Sequence, residues 1–287
     1  MKAVLDIGSN SVRLRCFSDG KIIYNEKITS QLGKNLSNSG VLDNDSKKRT
    51  TDAVCSLVKR AESLGVNRSA LLAFATAAIR NSKDGREYAL ELERVVGVKI
   101  DVISGEQEAE IGLLGALSGA DGAVIDIGGA SSELAVKVKG SAVYSYSLPI
   151  GAVTLYDECG EDFNKILKRT GELVKLYGSV PQIKKLVGIG GTATSVAHAL
   201  SGKKIYDPEV IQGLVVKKES LKALLLRLSV MTIEERNKIF KERSRATVIV
   251  CGGALLLSII DYLNLDEYSA GEADNLEGYC LLKTGAL

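Results

Sequence analysis

Residues Asp6-Ile7-Gly8-Ser9-Asn10-Ser11 and Asp126-Ile127-Gly128-Gly129-Ala130-Ser131-Ser132-Glu133 put nearly the same chemistry at two places in the chain. Each follows an apolar run with an aspartate, a glycine-rich polar turn and a second strand-like run. Glycine admits the positive-φ turn and close backbone approach that an anion cradle needs, and the Ser and Asn groups add donors. A carboxylate beside such a cradle calls for a divalent cation, because two anions do not otherwise share a site. One Asp-x-Gly turn would read as an ordinary hairpin; the pair suggests two lobes gripping one phosphate chain. A third loop, Gly190-Gly191-Thr192, follows an apolar strand and opens a helix, which aims backbone amides and a positive helix end at an anion.

The elements that must position these loops also repeat. Strands are expected over 3–6, 12–17 and 21–28, where Val12, Leu14 and Cys16 alternate with Arg13 and Arg15 in the period of a half-buried strand. Helices follow at 43–65, 82–96 and 106–117, with strands at 71–75 and 98–103. After the turn-rich segment 118–122 the pattern restarts: strands at 123–126, 133–137 and 142–147, a helix at 162–177, a strand at 185–189 and a helix at 193–200. Helices near 218–228, 233–239 and 245–263, a strand near 267–270 and a terminal helix complete the chain. Three strands followed by β-α alternation, occurring twice, is the pattern of an α/β protein with two ribonuclease-H-like lobes, residues 1–118 and 119–287. The active site then belongs in the cleft between the lobes, with the last helix packing back on the first.

Composition narrows the chemistry. The 287 residues are 45% hydrophobic and 25% charged, enough for a substantial core. A net charge of +2 argues against nucleic acid or a membrane as the main partner. No apolar run is read as a membrane span, and Met1 leads straight into a core strand with no room for a signal peptide. Five scattered cysteines without metal-ligand spacing read as thiols in a reducing cytoplasm. His198 is the only histidine and sits in a helical pattern, where a satisfied or surface side chain is expected. That leaves carboxylates, hydroxyls, backbone amides and a hard cation to do the work.

Taken together, several segments resemble the Ppx/GppA family of exopolyphosphatases and guanosine pentaphosphate phosphohydrolases, within the actin/Hsp70/sugar-kinase fold. They are Asp6–Leu14, Ala75-Thr76-Ala77-Ala78-Ile79-Arg80, Val102-Ile103-Ser104-Gly105-Glu106-Gln107-Glu108-Ala109, Val124–Leu134, Ser147–Ala152 and Gly190–Thr194, in family order, with a fainter match at Arg245–Ile249. The resemblance implies that Glu108 is the general base, Arg80 faces phosphate, and Asp6, Asp126 and Glu133 place Mg²⁺ or Mn²⁺ and the attacking water. By the same token Gly8, Ser9, Asn10 and Ser11, then Gly128, Gly129, Ala130 and Ser131, then Gly190, Gly191 and Thr192 would bind phosphate. The implied partner is polyphosphate or a guanosine penta- or tetraphosphate, with a homodimer left open.

The sequence departs from the family pattern at three points. Ser30-Gln31-Leu32-Gly33 lacks an arginine common ahead of the Leu-Gly turn, and Asp274-Asn275-Leu276-Glu277-Gly278 has Leu276 where many members have arginine. Gln107 replaces a common glutamate. Two lost phosphate contacts at about 1.5–3 kcal/mol each would weaken the grip on a polyanion. With the short chain, this favours short polyphosphate or a phosphorylated nucleotide as substrate. An ATP-using enzyme of the same fold and a non-catalytic alarmone or polyphosphate sensor remain alternatives.

Overall fold

The two aspartate-bearing apolar runs become inner strands of two separate sheets. In this computed structural model, which describes residues 1–287 apart from the side chain of Ser37, β1 (Lys2–Ile7), β2 (Ser11–Ser18) and β3 (Lys21–Thr29) form an antiparallel meander. Strands β4 (Leu71–Ala75) and β5 (Ile100–Val102) add in parallel to give the order β3-β2-β1-β4-β5. The second sheet repeats this plan with β6 (Gly122–Ile127), β7 (Ser132–Val138), β8 (Ser141–Leu148), β9 (Leu186–Ile189), β10 (Val215–Lys217) and β11 (Glu267–Ala270), ordered β10-β11-β9-β6-β7-β8. Equivalent register places Asp6 opposite Arg13 and Asp126 opposite Glu133.

Both inner strands are buried on both faces, which explains their unbroken apolar runs. On one face of the first sheet, Leu5, Ile7, Val12 and Leu14 pack with Val54, Leu57 and Val58 of helix α1 (Asn44–Ser63) and Leu92 of α2 (Gly85–Val96). The second sheet has its own core, in which Ile125, Leu134 and Val136 pack with Val196 and with Ile249, Leu255 and Ile259. Val196 belongs to helix α4 (Gly190–Ser201), and the other three to the 20-residue helix Arg243–Tyr262, here α5. By length and composition α5 could span a membrane, which corrects the expectation that no segment could; here 72% of its apolar window is buried inside the fold. It is a core helix.

Two helices lie between the sheets. Helix α3 (Gly105–Leu117) sets Ala109, Leu113 and Leu117 against Val124 and Ala135 of the second sheet, while Ile111 joins Val4 and Phe74 of the first. The last helix, α6 (Asn275–Thr284), packs Leu276, Tyr279 and Cys280 into that same layer against Val4, Phe17 and Phe74. The two helices cross closely: a Cβ on Gly278 would meet the carbonyl of Ile111, and one on Gly115 that of Asp274. Gly278→Ala is therefore expected to destabilise the protein by about 1–3 kcal/mol through overpacking. A lower urea midpoint at unchanged slope would show this; an unmoved midpoint would contradict so tight a crossing.

Sequence pattern and structure differ at some boundaries. Helix α4 starts at Gly190 rather than 193, so Gly190-Gly191-Thr192 is its first turn, with amide donors not yet used by the helix. The expected helix 162–177 ends as α-helix at Leu173 and continues as a 3₁₀ turn, Val174–Tyr177. Strand β10, three residues at a sheet edge, carries too short a pattern to read.

Candidate active site

Strands β1 and β6 deliver Asp6 and Asp126 to one cleft of about 670 Å³ between the sheets. The β1–β2 turn contributes Gly8, Ser9 and Asn10, with Ser11 at the start of β2, the β6–β7 turn Gly128, Gly129 and Ser131, and the start of α4 Gly190 and Gly191. Three of the expected loops therefore meet in one space. Ala130 and Thr192 do not line it: Ala130 is buried, and the Thr192 hydroxyl donates to the carbonyl of Ile127 at 2.9 Å, tying α4 to β6. Gly190 has φ +72°, and a Cβ there would meet Asp126 Oδ1, so glycine is needed for the loop to approach the carboxylate.

Helix α3 carries Glu108 to the cleft wall. Its first turn is fixed by a capping box, with Ser104 Oγ accepting from the Gln107 amide at 3.1 Å and Gln107 Oε1 accepting from the Ser104 amide at 2.9 Å. Gln107 is thus an exposed cap and leaves the cleft charge untouched. Arg80, on the short helix Ala77–Asn81, donates from Nη1 to Glu108 Oε2 at 2.9 Å and to the Ile103 carbonyl at 3.0 Å. Its Nη2 lies 3.9 Å from Glu133 Oε1, which also accepts from Ser147 Oγ at 2.6 Å. Arg80 and Glu133 therefore sit behind Glu108 and outside the cleft lining, joined to the site through the carboxylate pair.

Electrostatics are the main tension. Burial, then Glu133, raises the Glu108 carboxyl well above its usual range against the pull of Arg80. Burial, reinforced by Asp126, pushes Glu133 up to about 7, and burial pushes Asp126 up to about 8 despite Arg13. Asp6 is raised for the same first reason. Asp126 Oδ2 accepts from Asn275 Nδ2 at 2.9 Å, while Asp6 Oδ2 accepts from Arg13 Nε and Nη2 at 2.9 and 2.6 Å. Asp6 Oδ1 is buried without any hydrogen-bond partner.

That orphaned oxygen and the repelling carboxylates suit a hard divalent cation. Among the described residues, however, no three His, Cys, Asp or Glu side chains form a ready-made metal cluster. Asp6 and Asp126 remain in the cleft as candidate ligands, whereas Glu133 is turned to Ser147 and Arg80. A site of one or two carboxylates completed by water and phosphate oxygens matches magnesium's preference.

The residues that sequence reasoning missed are cationic. Arg13 and Arg15, read as the polar side of a half-buried strand, both line the cleft. Arg13 also pairs with Asp274, and Arg15 with Glu277. The Arg245 guanidinium lies against Gly191 and has no ion pair among the described residues; the faint match at 245–249 was its only signal. The two positions that lack an arginine have other roles in this fold. Leu276 is fully buried in the core beneath β1, and Gln31, with φ +53°, props the Asn10 carbonyl through its amide at 2.9 Å. His198 is neither satisfied nor on the surface: it is buried in the cleft wall, its ring 5.3 Å from Tyr206 and its Nδ1 unpartnered. Among the described residues, six cations (Arg13, Arg15, Lys27, Lys204, Lys241, Arg245) and six acids (Asp6, Glu108, Asp126, Glu242, Glu272, Asp274) line the cleft, which is balanced in charge.

Two lobes built on the 3-2-1-4-5 sheet plan, with helices crossing between them and glycine loops from both sides, define an actin-like α/β protein. A family model described as the Ppx/GppA phosphatase family matches residues 16–279, and the chain belongs to that family. It is 26% identical over 308 residues to the bifunctional 3-dehydroquinate synthase/phosphatase of Fusobacterium nucleatum, covering 98% of this chain and 46% of that protein. It is 25% identical over 284 residues to the guanosine-5'-triphosphate,3'-diphosphate pyrophosphatase of Pseudoalteromonas translucida, covering 92% and 55%. The chain thus spans about half the length of these two relatives. Exopolyphosphatase 2 of Mycobacterium tuberculosis, 25% identical over 317 residues, matches across 99% of this chain and 98% of its own. The solved structure of an Aquifex aeolicus Ppx/GppA family member superposes with a TM-score of 0.79 at 28% identity, over 98% of this chain and 96% of that one.

The raised carboxyls have a consequence for stability. A carboxyl whose value is higher folded than unfolded holds a proton in the native state, so its contribution is complete below about pH 4 and is lost as pH rises through the folded value. With Glu133 near 7 and Asp126 near 8, the melting temperature in chelator is expected to fall from pH 6 to pH 9. Added Mg²⁺ should raise it more at pH 9 than at pH 6. A melting temperature that climbs with pH in chelator would contradict the assignment.

Proposed function

We propose that this chain is a Mg²⁺- or Mn²⁺-dependent phosphohydrolase that releases the terminal phosphate of inorganic polyphosphate or guanosine pentaphosphate. The observation that carries this reading is Glu108: a buried carboxylate on the cleft wall, one oxygen fixed by Arg80, at the point where three glycine loops converge. Phosphoryl transfer asks a protein mainly for positioning and charge neutralisation. The amides of the three loops would hold the phosphate chain, and Arg245 would neutralise part of its charge. The divalent ion, held with Asp6 and Asp126, would supply further neutralisation of the phosphoryl oxygens.

Glu108 takes the proton from water as the water oxygen bonds to the terminal phosphorus; the bridging P–O bond breaks and the shortened chain leaves as an anion. Burial raises the basicity of the Glu108 carboxylate, which strengthens it as a proton acceptor once ionised. Arg80 fixes its orientation, and Ser147 fixes Glu133 behind it. The relatives named for exopolyphosphatase and for guanosine pentaphosphate cleavage support this reaction class.

Glu108→Gln keeps the shape and removes the base. It is expected to lower phosphate release by about 10²–10⁴-fold, while triphosphate binding measured by calorimetry persists. Release at the native rate would remove Glu108 from the reaction. Running ATP beside polyphosphate and guanosine pentaphosphate separates this reading from an ATP-using enzyme of the same fold: faster turnover of ATP would favour the latter.

A further inference from the structure

Arg13 brings a guanidinium from the first lobe to the cleft, yet it is already occupied. Its Nε and Nη2 bind Asp6 Oδ2, and its Nη1 binds Asp274 Oδ2. Asp274 is buried at the start of α6 and also lies 3.6 Å from Arg15 Nη1, the group that binds Glu277. The second acid is not needed to hold the helix end as a charge. Asp274 Oδ1 caps α6 by accepting from the Leu276 amide at 2.9 Å, and Glu277 Oε2 accepts from the Asp274 amide at 2.9 Å. A neutral cap would serve that purpose equally well. What the carboxylate adds is a negative charge inside an anion-binding cleft, on the guanidinium that a phosphate would use.

We propose that Asp274 is a specificity-determining residue: an internal anion that competes with substrate phosphate for Arg13 and so limits how tightly the cleft holds a polyanion. The proposal rests on the phosphohydrolase reading and concerns only the strength and charge dependence of binding. A substrate phosphate that reaches Arg13 must displace a carboxylate whose own desolvation has already been offset by that arginine. That exchange yields less than a contact with a free arginine, so the phosphate that reaches Arg13 adds little affinity. The cleft is accordingly suited to a short chain of few phosphates, held mainly by the loop amides and Arg245.

Asp274→Asn isolates the charge. Asparagine caps a helix as well as aspartate does, but its amide nitrogen at the Oδ2 position cannot accept from a guanidinium. Asp274→Ser, another cap former without charge, is the second variant. In the Glu108→Gln background with Mg²⁺, inorganic triphosphate is expected to bind both variants roughly ten-fold more tightly, with a steeper salt dependence. In the otherwise native chain, the same substitutions should lower KM for triphosphate without raising kcat. Unchanged or weaker binding in both variants, while the native chain binds and cleaves triphosphate, would overturn the proposal and leave Asp274 as a prop for Arg13. If the native chain neither binds nor cleaves polyphosphate or guanosine pentaphosphate, the phosphohydrolase reading itself fails and takes this proposal with it.

Discussion

Six buried carboxylates, Asp6, Glu108, Asp126, Glu133, Asp274 and Glu277, converge where the two sheets meet. Removing an ionised carboxylate from water costs several kcal/mol unless it is paired and hydrogen-bonded, so each must be accounted for. Arg80 spans Glu108 and Glu133, Arg13 spans Asp6 and Asp274, Arg15 pairs with Glu277, and Asn275 gives Asp126 a neutral donor. Asp126 is the least compensated of those with a protein partner, and Asp6 keeps one oxygen with none. A fold optimised only for stability would not assemble this set. The crowded carboxylates are the physical reason to expect a divalent cation in the cleft, and the loop amides and Arg245 are the reason to expect a phosphate chain beside it.

The same constraint explains why the middle layer is packed so closely. Glu108 rides on α3 and Asn275 on α6, whereas Asp6 and Asp126 ride on strands of different sheets. Their mutual positions depend on how the two helices cross, and the crossing is set by glycine at 115 and 278. Leu276 and Tyr279 anchor α6 under β1, with the Tyr279 hydroxyl donating to Asp101 at 2.7 Å and Lys283 reaching the same carboxylate at 2.6 Å. Core packing thereby places charges that would repel one another if free to move.

Much of this was legible in the amino-acid sequence because it repeats. The Asp6 and Asp126 runs read as equivalent strands, and their glycine turns read as cradles from residue type alone. The shared cleft followed from the duplicated topology. What could not be read was direction. Alternation along β2 puts Arg13 and Arg15 on a polar face, but only the fold turns that face toward the buried acids Asp274 and Glu277. Local pattern does not tell that the Leu276 side chain lies in the core, nor that the Thr192 hydroxyl, expected to face phosphate, donates to the Ile127 carbonyl. The long apolar α5 shows the same limit, since burial by the surrounding lobe is not encoded in local hydropathy.

Water attacking the terminal phosphorus beside Glu108 is the central step of the proposed reaction. Hydrolysis of triphosphate in ¹⁸O-enriched water, with Mg²⁺ and mass analysis of both products, tests this directly. The expected result is one ¹⁸O in the released orthophosphate and none in the remaining diphosphate. Label found in the diphosphate alone, or no phosphate released at all from triphosphate, longer polyphosphate or guanosine pentaphosphate, would contradict it.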